Sequence, residues 1–274
     1  MSFPLLHVVG LGPGSPALLA PEALACLRRA RTVVGYSGYI ALVDPELLRD
    51  KEIVSTGMMG EMERTEAALA SALAGRETVM VCSGDPGVYA LAGLALELIE
   101  QRGLNPGELL NVVPGVPAVC AAAALLGAPL MHDFACISLS DLLTPPDLIR
   151  KRLECAFAGD FVVALYNPRS KRRTALLEEA LGLAARHRGP DAPVGVVRNA
   201  FRPEQDVRIA RLGDNPARDA DMFSILLVGN SETRIVPGNA GRPLAWEHGA
   251  RLLTPRGYMK KYGPEAAKIS PDRI

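Results

Sequence analysis

The chain has 274 residues, which is enough for two modest domains or one large one with a sizeable hydrophobic core. Hydrophobic residues make up 49% and charged residues 22% of the chain, and the formal net charge is zero. This balance is typical of an ordinary globular protein, and it gives no reason to expect a nucleic acid or a membrane surface as a partner.

The N-terminal segment carries no basic residues before its apolar run, and Gly10 interrupts that run, so a secretory signal is not expected. The most apolar segment, residues 118–131, is too short to span a bilayer. The five cysteines are widely separated among apolar neighbours, which predicts buried free thiols, and the scattered histidines predict no metal site. We therefore expect a reduced, cytoplasmic protein.

Short apolar runs alternate with segments of helical periodicity along the chain. In the first half, strands are predicted in LLHVV, RTVVGY, ETVMVC and LLNVV, and helices in PEALACLRRA, ERTEAALASALAG, GVYALAGLALELIEQRG and VCAAAALLG. The second half predicts strands in FACISLSDL, DFVVALYNP, APVGVVRNA and FSILLVGN, and helices in DLIRKRLECAFAG and TALLEEALGLAARH. This alternation predicts parallel βαβ units and the α/β fold class.

The pattern begins again near residues 115–130, which predicts a domain boundary there. We expect an N-terminal α/β domain over 1–118, a C-terminal α/β domain over 119–240 and a C-terminal tail over 241–274. The tail is rich in Gly, Pro and Lys, and we expect it to pack loosely or to pair with another subunit.

A glycine-rich stretch, VVGLGPGSP, follows the first predicted strand. The dinucleotide-binding pattern G-x-G-x-x-G needs a glycine where Ser15 stands, and RTVVGYSGY offers no acidic residue for a ribose hydroxyl. Pro13 also lacks the N–H that a phosphate-binding loop would use. A nicotinamide-dependent oxidoreductase is therefore a disfavoured alternative, and a plain strand-to-helix turn remains open.

Two further loops with Gly and Pro, SGDPGVY and VVPGVPAV, end later strands. In an open parallel sheet such strand ends lie along one carboxyl edge, where ligands bind. Loops of this composition form a cleft whose walls are backbone and not bulky side chains. A cleft of this kind suits a flat, neutral or cationic ligand better than a polyphosphate.

The segments GLGPGSP, SGDPGVYALA and VPGVPAV, in this order and spacing, resemble the tetrapyrrole methylase family. The resemblance extends over most of 5–258 through VVGYSGYI, STGMMGEMERTEAAL, GAPLMHDFACISLSDLLTP, DFVVALYNPRSKRR, PVGVVRNA, SILLVGNSETR and TPRGY. It implies the class III S-adenosylmethionine methyltransferase fold, which is not a Rossmann fold and has two α/β domains with a ligand cleft between them. It also implies a homodimer.

The activity that this resemblance implies is methylation of precorrin-3B at C17, with ring contraction to precorrin-4, in cobalamin (vitamin B12) biosynthesis. The cobalt-containing counterpart of that substrate remains an alternative. Other tetrapyrrole carbons, ribosomal RNA or the diphthamide precursor are less favoured, since GMMGEMER and LYNPRSKRR argue against them. A protein that binds tetrapyrroles without turnover is a further alternative.

The resemblance assigns S-adenosylmethionine to a set of residues in the three loops and in the second half of the chain. These residues are Pro13, Ser83, Gly84, Asp85, Val88, Pro117, Ala118, Asn167 and Ala200. Other family members carry Thr where this chain has Pro117. The proline lacks the hydroxyl and the backbone N–H that Thr would supply there. A turn-capping role for Asp85 before Pro86 is compatible with a role in the site.

For the macrocycle, the resemblance points to Tyr36, Tyr39, Met58, Arg172 and Arg173. Aromatic and methionine side chains suit a large planar ring, although ordinary core packing would explain them too. Arginine can grip a carboxylate with two N–H groups, whereas a lone basic run such as PRSKRR is often a solvated helix start.

Methyl transfer from a sulfonium to carbon needs no covalent nucleophile and no metal. Ring contraction does need a general base for the proton of a tertiary hydroxyl. The candidates are His132, Asp133 and Asp141, and a purely structural role for His132 remains the alternative.

Overall fold

The computed structural model describes residues 5–170, 174–238 and 249–263. They form two compact units. The first unit holds the chain up to Ala121 together with Ala200–Pro203, and the second holds Ala122–Asn199 and the chain from Glu204 onward. The short segment Ala200–Pro203 thus belongs to the first unit although it lies far from it in sequence.

The first unit contains a five-stranded sheet in which every pair of neighbouring strands is parallel. Its order is β3-β2-β4-β1-β5, with β1 at Leu6–Gly10, β2 at Thr32–Tyr36, β3 at Glu52–Thr56, β4 at Thr78–Cys82 and β5 at Leu110–Val113. The helices are α1 (Pro21–Arg29), α2 (Ser37–Ile40), α3 (Pro45–Leu48), α4 (Glu61–Leu73), α5 (Ala92–Gln101) and α6 (Pro106–Leu109), and a 3₁₀ turn spans Pro16–Leu18. Helix α7 (Ala118–Leu126) runs from the first unit into the second.

The central strands of this sheet are buried on both faces, as the continuous apolar runs predict. Leu6, Val8 and Met80 pack in one apolar cluster with α4 and α5. Their neighbours Val9 and Val81 point the opposite way, into a second cluster with α1. Because helices cover both faces, ligands reach this sheet only at its edges.

The second unit contains a five-stranded sheet in the order β10-β9-β11-β8-β7 and a three-stranded sheet in the order β12-β13-β6. The strands are β6 (Gly127–Ala128), β7 (Phe134–Ser138), β8 (Val162–Tyr166), β9 (Pro193–Arg198), β10 (Asp206–Arg211), β11 (Ser224–Val228), β12 (Arg234–Val236) and β13 (Arg251–Leu253). The helices are α8 (Pro146–Ala158), α9 (Ala175–Arg188) and α10 (Tyr258–Tyr262), and a 3₁₀ turn spans Leu212–Asp214.

The parallel pairing expected along the whole chain is present in the first sheet, whereas the larger sheet of the second unit is mixed. Strands β7 and β8 are parallel, but β11 is antiparallel to β8 and β9, and β10 is antiparallel to β9. Only a short connection joins β9 to β10, and a short connection permits only antiparallel neighbours. The sequence DVRIAR of β10 alternates charged and apolar residues and was not predicted as a strand.

The described part of the predicted tail, residues 249–263, contributes β13, which pairs with β12 and β6. None of the five cysteines, all of which lie in the described ranges, forms a disulfide, and Cys26 and Cys82 are buried as predicted. Cys136 is only partly buried, and Cys120 and Cys155 are exposed because each lies on the outward side of its helix, which corrects the expectation of burial for these three. Within the described ranges, no helix combines the length and the apolarity needed to cross a bilayer.

Candidate functional site

Three loops follow the carboxyl ends of β1, β4 and β5, which are neighbours in the first sheet. The first loop is 11–15, the second loop is 83–91 and the third loop is 114–117. Parallel strands end at the same edge, so the three loops lie side by side there. This edge is where the sequence predicts ligand binding.

The loops meet through backbone, because glycine stands at each contact. A Cβ added to Gly115 would lie 2.2 Å from the carbonyl oxygen of Gly84, and one added to Gly10 would lie 2.6 Å from the same oxygen. Real Cβ contacts are never so short, and backbone cannot rotate away as a side chain can. Gly10, Gly84 and Gly115 therefore allow the three loops to touch directly.

Hydrogen bonds join the first two loops as in a short antiparallel bridge. The Gly12 N–H donates to the Gly84 carbonyl at 3.1 Å, and the Gly84 N–H donates to the Gly12 carbonyl at 2.7 Å. Both residues have left-handed backbone, with φ of 65° and 68°, which only glycine adopts without strain. This pair fixes the position of the second loop relative to the first.

Asp85 connects the second loop to the third. Its Oδ1 accepts the N–H of Gly87 at 2.8 Å, and its Oδ2 accepts the N–H of Gly115 at 3.1 Å. The first bond is the turn-capping bond that the sequence indicates for an Asp before Pro. The second bond ties together two loops that are far apart in sequence, and it makes Asp85 a brace of the site.

The remaining loop residues assigned by the resemblance lie around these contacts. Pro13 is buried, Ser83 and Val88 are partly exposed, and the position of a Gly84 Cβ is 3.6 Å from Pro117 Cα and 3.7 Å from the Ala118 nitrogen. The Pro117 carbonyl accepts the N–H groups of Cys120 and Ala121 and so begins α7. Because the N–H of a residue before the helix is not needed by the helix, proline is tolerated at this place.

The structure brings one residue to these loops that the sequence did not indicate. Arg202 donates from Nε to the carbonyl of Pro13 and from Nη2 to Ser83 Oγ, the latter at 2.7 Å. Ala200, which the resemblance assigns to the cofactor, belongs to the same short segment of the first unit. Arg202 is 189 residues from Pro13 in the chain, and no local pattern could have signalled this contact.

Tyr36 is the last residue of β2, and Tyr39 lies three residues later in α2, at the same edge of the first sheet. Their rings form an edge-to-face pair with centroids 5.1 Å apart, and both are partly exposed. Burial raises the pKa of the Tyr39 phenol. Met58 follows β3 and is 62% exposed, so it is not a core residue and its thioether is open to a ligand.

Asn167 and Asp141 lie in the second unit at the carboxyl ends of β8 and β7. The Asn167 side chain donates to Ser138 Oγ at 2.9 Å, and its backbone is left-handed with φ of 51°. Asp141 comes three residues after the end of β7 and is partly exposed. Since β7 and β8 are parallel, these two residues share one edge of their sheet.

His132 and Asp133 lie at the amino end of β7, which is the opposite edge. The carbonyl of Asp133 accepts the N–H of Val162 at the start of β8, and both candidate side chains are exposed. His132 Nδ1 accepts the Asp133 N–H at 2.8 Å. A five-residue strand is about 16 Å long, so the geometry separates this pair from Asn167 and Asp141. Arg172 and Arg173 lie outside the described residues.

The thiol of Cys82 lies directly before the second loop. Burial raises its pKa to about 11, so it is protonated at neutral pH and is a poor nucleophile. We expect iodoacetamide at pH 8 to modify the exposed Cys120 and Cys155 in the folded protein and to leave Cys82 unmodified.

Peptide mass spectrometry measures this difference, and labelling in urea provides the control in which all five cysteines react. Modification of Cys82 as fast as of Cys120 would show that the second loop opens to solvent.

Comparison with known proteins places this geometry in a family. The model of the Tetrapyrrole (Corrin/Porphyrin) Methylases matches residues 5–215. A probable cobalt-factor III C(17)-methyltransferase of Salmonella typhimurium is 43% identical over 254 residues, which cover 93% of this chain and 99% of that protein. A precorrin-3B C(17)-methyltransferase of a Sinorhizobium species is 39% identical over 257 residues and covers 92% and 96% of the two chains.

Some relatives are longer, and the chain spans 46% of a cobalt-factor III methyltransferase of Priestia megaterium, with 40% identity. The crystal structure of the methyltransferase CobJ matches with a TM-score of 0.81 and 37% identity, covering 93% of this chain and 100% of that one. A uroporphyrin-III C-methyltransferase of Thermus thermophilus, complexed with S-adenosylhomocysteine, matches with a TM-score of 0.62 and 26% identity over 82% and 96% of the two chains.

These matches confirm the resemblance and the class III methyltransferase fold that the sequence predicts. They extend over both units and include the three loops. The chain belongs to the tetrapyrrole (corrin/porphyrin) methylases.

Proposed function

We propose that this chain transfers a methyl group from S-adenosylmethionine to C17 of precorrin-3B and contracts the ring to give precorrin-4. The single observation that carries the proposal is the junction of three backbone-walled loops at the carboxyl edge of the first sheet. Family membership supports the reaction class, and relatives of about 40% identity bear names for methylation at C17.

The residues at this edge fit S-adenosylmethionine. Gly10, Gly84 and Gly115 let the backbones of the three loops meet without side chains between them, so the surface that the loops form there is backbone, which suits a flat group. The residues that would hold the cofactor are Pro13, Ser83, Gly84, Asp85, Val88, Pro117 and Ala118, with Asn167 and Ala200 added from the resemblance. When bound, the cofactor supplies a sulfonium methyl group that is already activated for attack by carbon.

The contribution of the chain is then mainly positional. Holding two reactants in register can lower a barrier by about 7–11 kcal/mol. The Asp85 bond to Gly115 joins the second and third loops, and its bond to Gly87 fixes the turn within the second loop, so the loops are held rigid before the ligand binds. Such rigidity is what placement of a methyl carbon against a ring carbon requires.

Ring contraction also needs a group that accepts the proton of the tertiary hydroxyl at C20 of the macrocycle. Of the three candidate bases, Asp141 lies at the same strand edge as Asn167, whereas His132 and Asp133 lie at the other edge. We therefore retain Asp141 alone as a candidate for this step. Tyr36, Tyr39 and Met58 are retained as the surface for the macrocycle, and Arg172, Arg173 and the homodimer stay predictions from the resemblance.

A second candidate substrate is the cobalt-containing counterpart. The relative of 43% identity is named for cobalt-factor III, and the relative named for precorrin-3B is 39% identical. The reaction at C17 is the same for both macrocycles.

Calorimetry with S-adenosylhomocysteine and with NADH tests the enzyme class. We expect binding of the former and none of the latter. Incubation with S-adenosylmethionine and each macrocycle, side by side, should then add the mass of one methyl group to the physiological substrate. Binding of S-adenosylhomocysteine without a mass gain on either macrocycle would contradict methylation at C17, and binding of NADH would contradict the class.

A further inference from the structure

Arg202 reaches the first and second loops, where both of its hydrogen-bond acceptors are neutral oxygens. Its guanidinium donates to the Pro13 carbonyl and to Ser83 Oγ, and both acceptors are uncharged. In the part of the chain that the structure describes, no carboxylate lies within the 4.0 Å of an ion pair with Arg202. The charge is therefore held in place by neutral oxygens.

This arrangement differs from that of the neighbouring arginine. Arg198, four residues earlier, donates from Nε to Asp221 Oδ2 at 2.8 Å, so its charge is balanced. Burial lowers the pKa of the Arg202 guanidinium, and the opposing group is the Tyr39 phenol, which is neutral at pH 7. A partly buried cation without a counterion is unfavourable unless a ligand supplies the counterion.

The backbone on both sides of Arg202 has an unfavourable conformation. Asn199, Phe201 and Glu204 have left-handed φ values of 49°, 58° and 59°. For a bulky residue such as Phe201 this conformation is unfavourable, and strain of this kind is concentrated at functional sites. Gly14 leaves room for the Arg202 side chain, because a Cβ at this position would lie 2.9 Å from Arg202 Nε.

If the proposed function holds, two ligands can bring a carboxylate to Arg202: the methyl donor and the macrocycle. Pro13 and Ser83, which Arg202 contacts, are assigned to the cofactor, whose amino-acid end carries a carboxylate. Tyr39, which lies near Arg202, is assigned to the macrocycle, whose acetate and propionate arms are carboxylates as well. Guanidinium pairs with carboxylates through two parallel N–H bonds, so either source offers the missing counterion.

We propose that Arg202 is a binding residue for a carboxylate of the ligand at the edge of the first sheet, supplied by the amino-acid end of the methyl donor or by a peripheral arm of the macrocycle. This assignment rests on the proposed function and adds a specificity-determining residue to it. The two bonds to Pro13 and Ser83 orient the guanidinium, which leaves further N–H groups for the carboxylate.

The test compares Arg202→Gln with Arg202→Lys and with the matched control Arg198→Gln, whose charge is paired internally. Calorimetry measures the affinity for S-adenosylhomocysteine and for 5′-methylthioadenosine, which has the same nucleoside thioether but no carboxylate. Steady-state kinetics gives KM and kcat for the macrocycle, and thermal unfolding confirms that each variant is folded.

If the donor supplies the carboxylate, Arg202→Gln weakens S-adenosylhomocysteine binding at least tenfold and leaves 5′-methylthioadenosine unchanged. If the macrocycle supplies it, KM rises at least tenfold with kcat and both nucleoside affinities unchanged. In either case Arg202→Lys recovers part of the loss and Arg198→Gln has no effect.

An equal loss of affinity for S-adenosylhomocysteine and 5′-methylthioadenosine would show that Arg202 only holds the loops together, and it would overturn the assignment. Unchanged affinities and unchanged kinetic constants would overturn it as well. If the unaltered protein binds neither S-adenosylhomocysteine nor the macrocycle, the proposed function fails and the assignment fails with it. If the unaltered protein binds and methylates normally and the variant does the same, only the assignment of Arg202 fails.

Discussion

Replacing Gly115 by alanine is expected to abolish binding of S-adenosylhomocysteine, with a loss of at least 100-fold. The new Cβ would lie 2.2 Å from the Gly84 carbonyl oxygen and 2.9 Å from the Gly10 carbonyl carbon, and both are backbone atoms. The third loop must therefore move away from the other two. Overpacking of this kind costs about 1–3 kcal/mol of stability, and it also displaces the wall that we assign to the donor.

Calorimetry with S-adenosylhomocysteine and urea unfolding measure the two effects separately. Gly93→Ala is the matched control, because Gly93 lies in α5 of the same unit and an added Cβ there meets nothing within 4 Å. This control should bind normally and gain about 0.5–1 kcal/mol in stability, since alanine is the better helix former. Normal binding by Gly115→Ala would show that the third loop is not part of the donor site.

Replacing Asp85 by alanine is expected to weaken S-adenosylhomocysteine binding about 30-fold while the fold is kept. The substitution removes the acceptor for two backbone N–H groups, at Gly87 and Gly115, and frees the third loop from the second. A partly buried N–H that loses its partner costs about 1–3 kcal/mol, and about 2 kcal/mol corresponds to this change in affinity.

Asn105→Ala provides the control, because Asn105 accepts the N–H of Gly107 in the same i to i+2 pattern but at the start of α6. It should lose a similar turn bond without any effect on binding. Asp85→Asn should behave more mildly than Asp85→Ala, since the amide oxygen keeps one acceptor. Affinity unchanged in Asp85→Ala would remove this residue from the site and leave it only a turn cap.

The elements of the fold could be predicted largely from local pattern. Continuous apolar runs of five residues indicate strands buried on both faces, and β1 and β4 are buried in this way. The strand β10 escaped prediction because it lies at the edge of its sheet, where an alternating charged and apolar sequence is tolerated. The antiparallel pairing in the second unit was not predicted either, because the periodicity of apolar residues indicates which side of a strand is buried and not the direction in which the strand runs.

The site divides in the same way. Glycine and proline after three strands indicate the loops, because backbone conformation and the order of parallel strands are local or near-local properties. The capping bond from Asp85 to Gly87 is equally local, whereas its bond to Gly115 joins residues 30 positions apart.

Only the tertiary structure decided which side chains meet at the loops. It placed Arg202 against Pro13 across 189 residues of sequence, and it placed His132 and Asp133 at the opposite edge of their sheet from Asn167. The physical reason is that the residues of a strand determine whether it is buried. Which end of a strand lies at the ligand site, and which side chain from a distant part of the sequence contacts that end, depends on the fold of the whole chain.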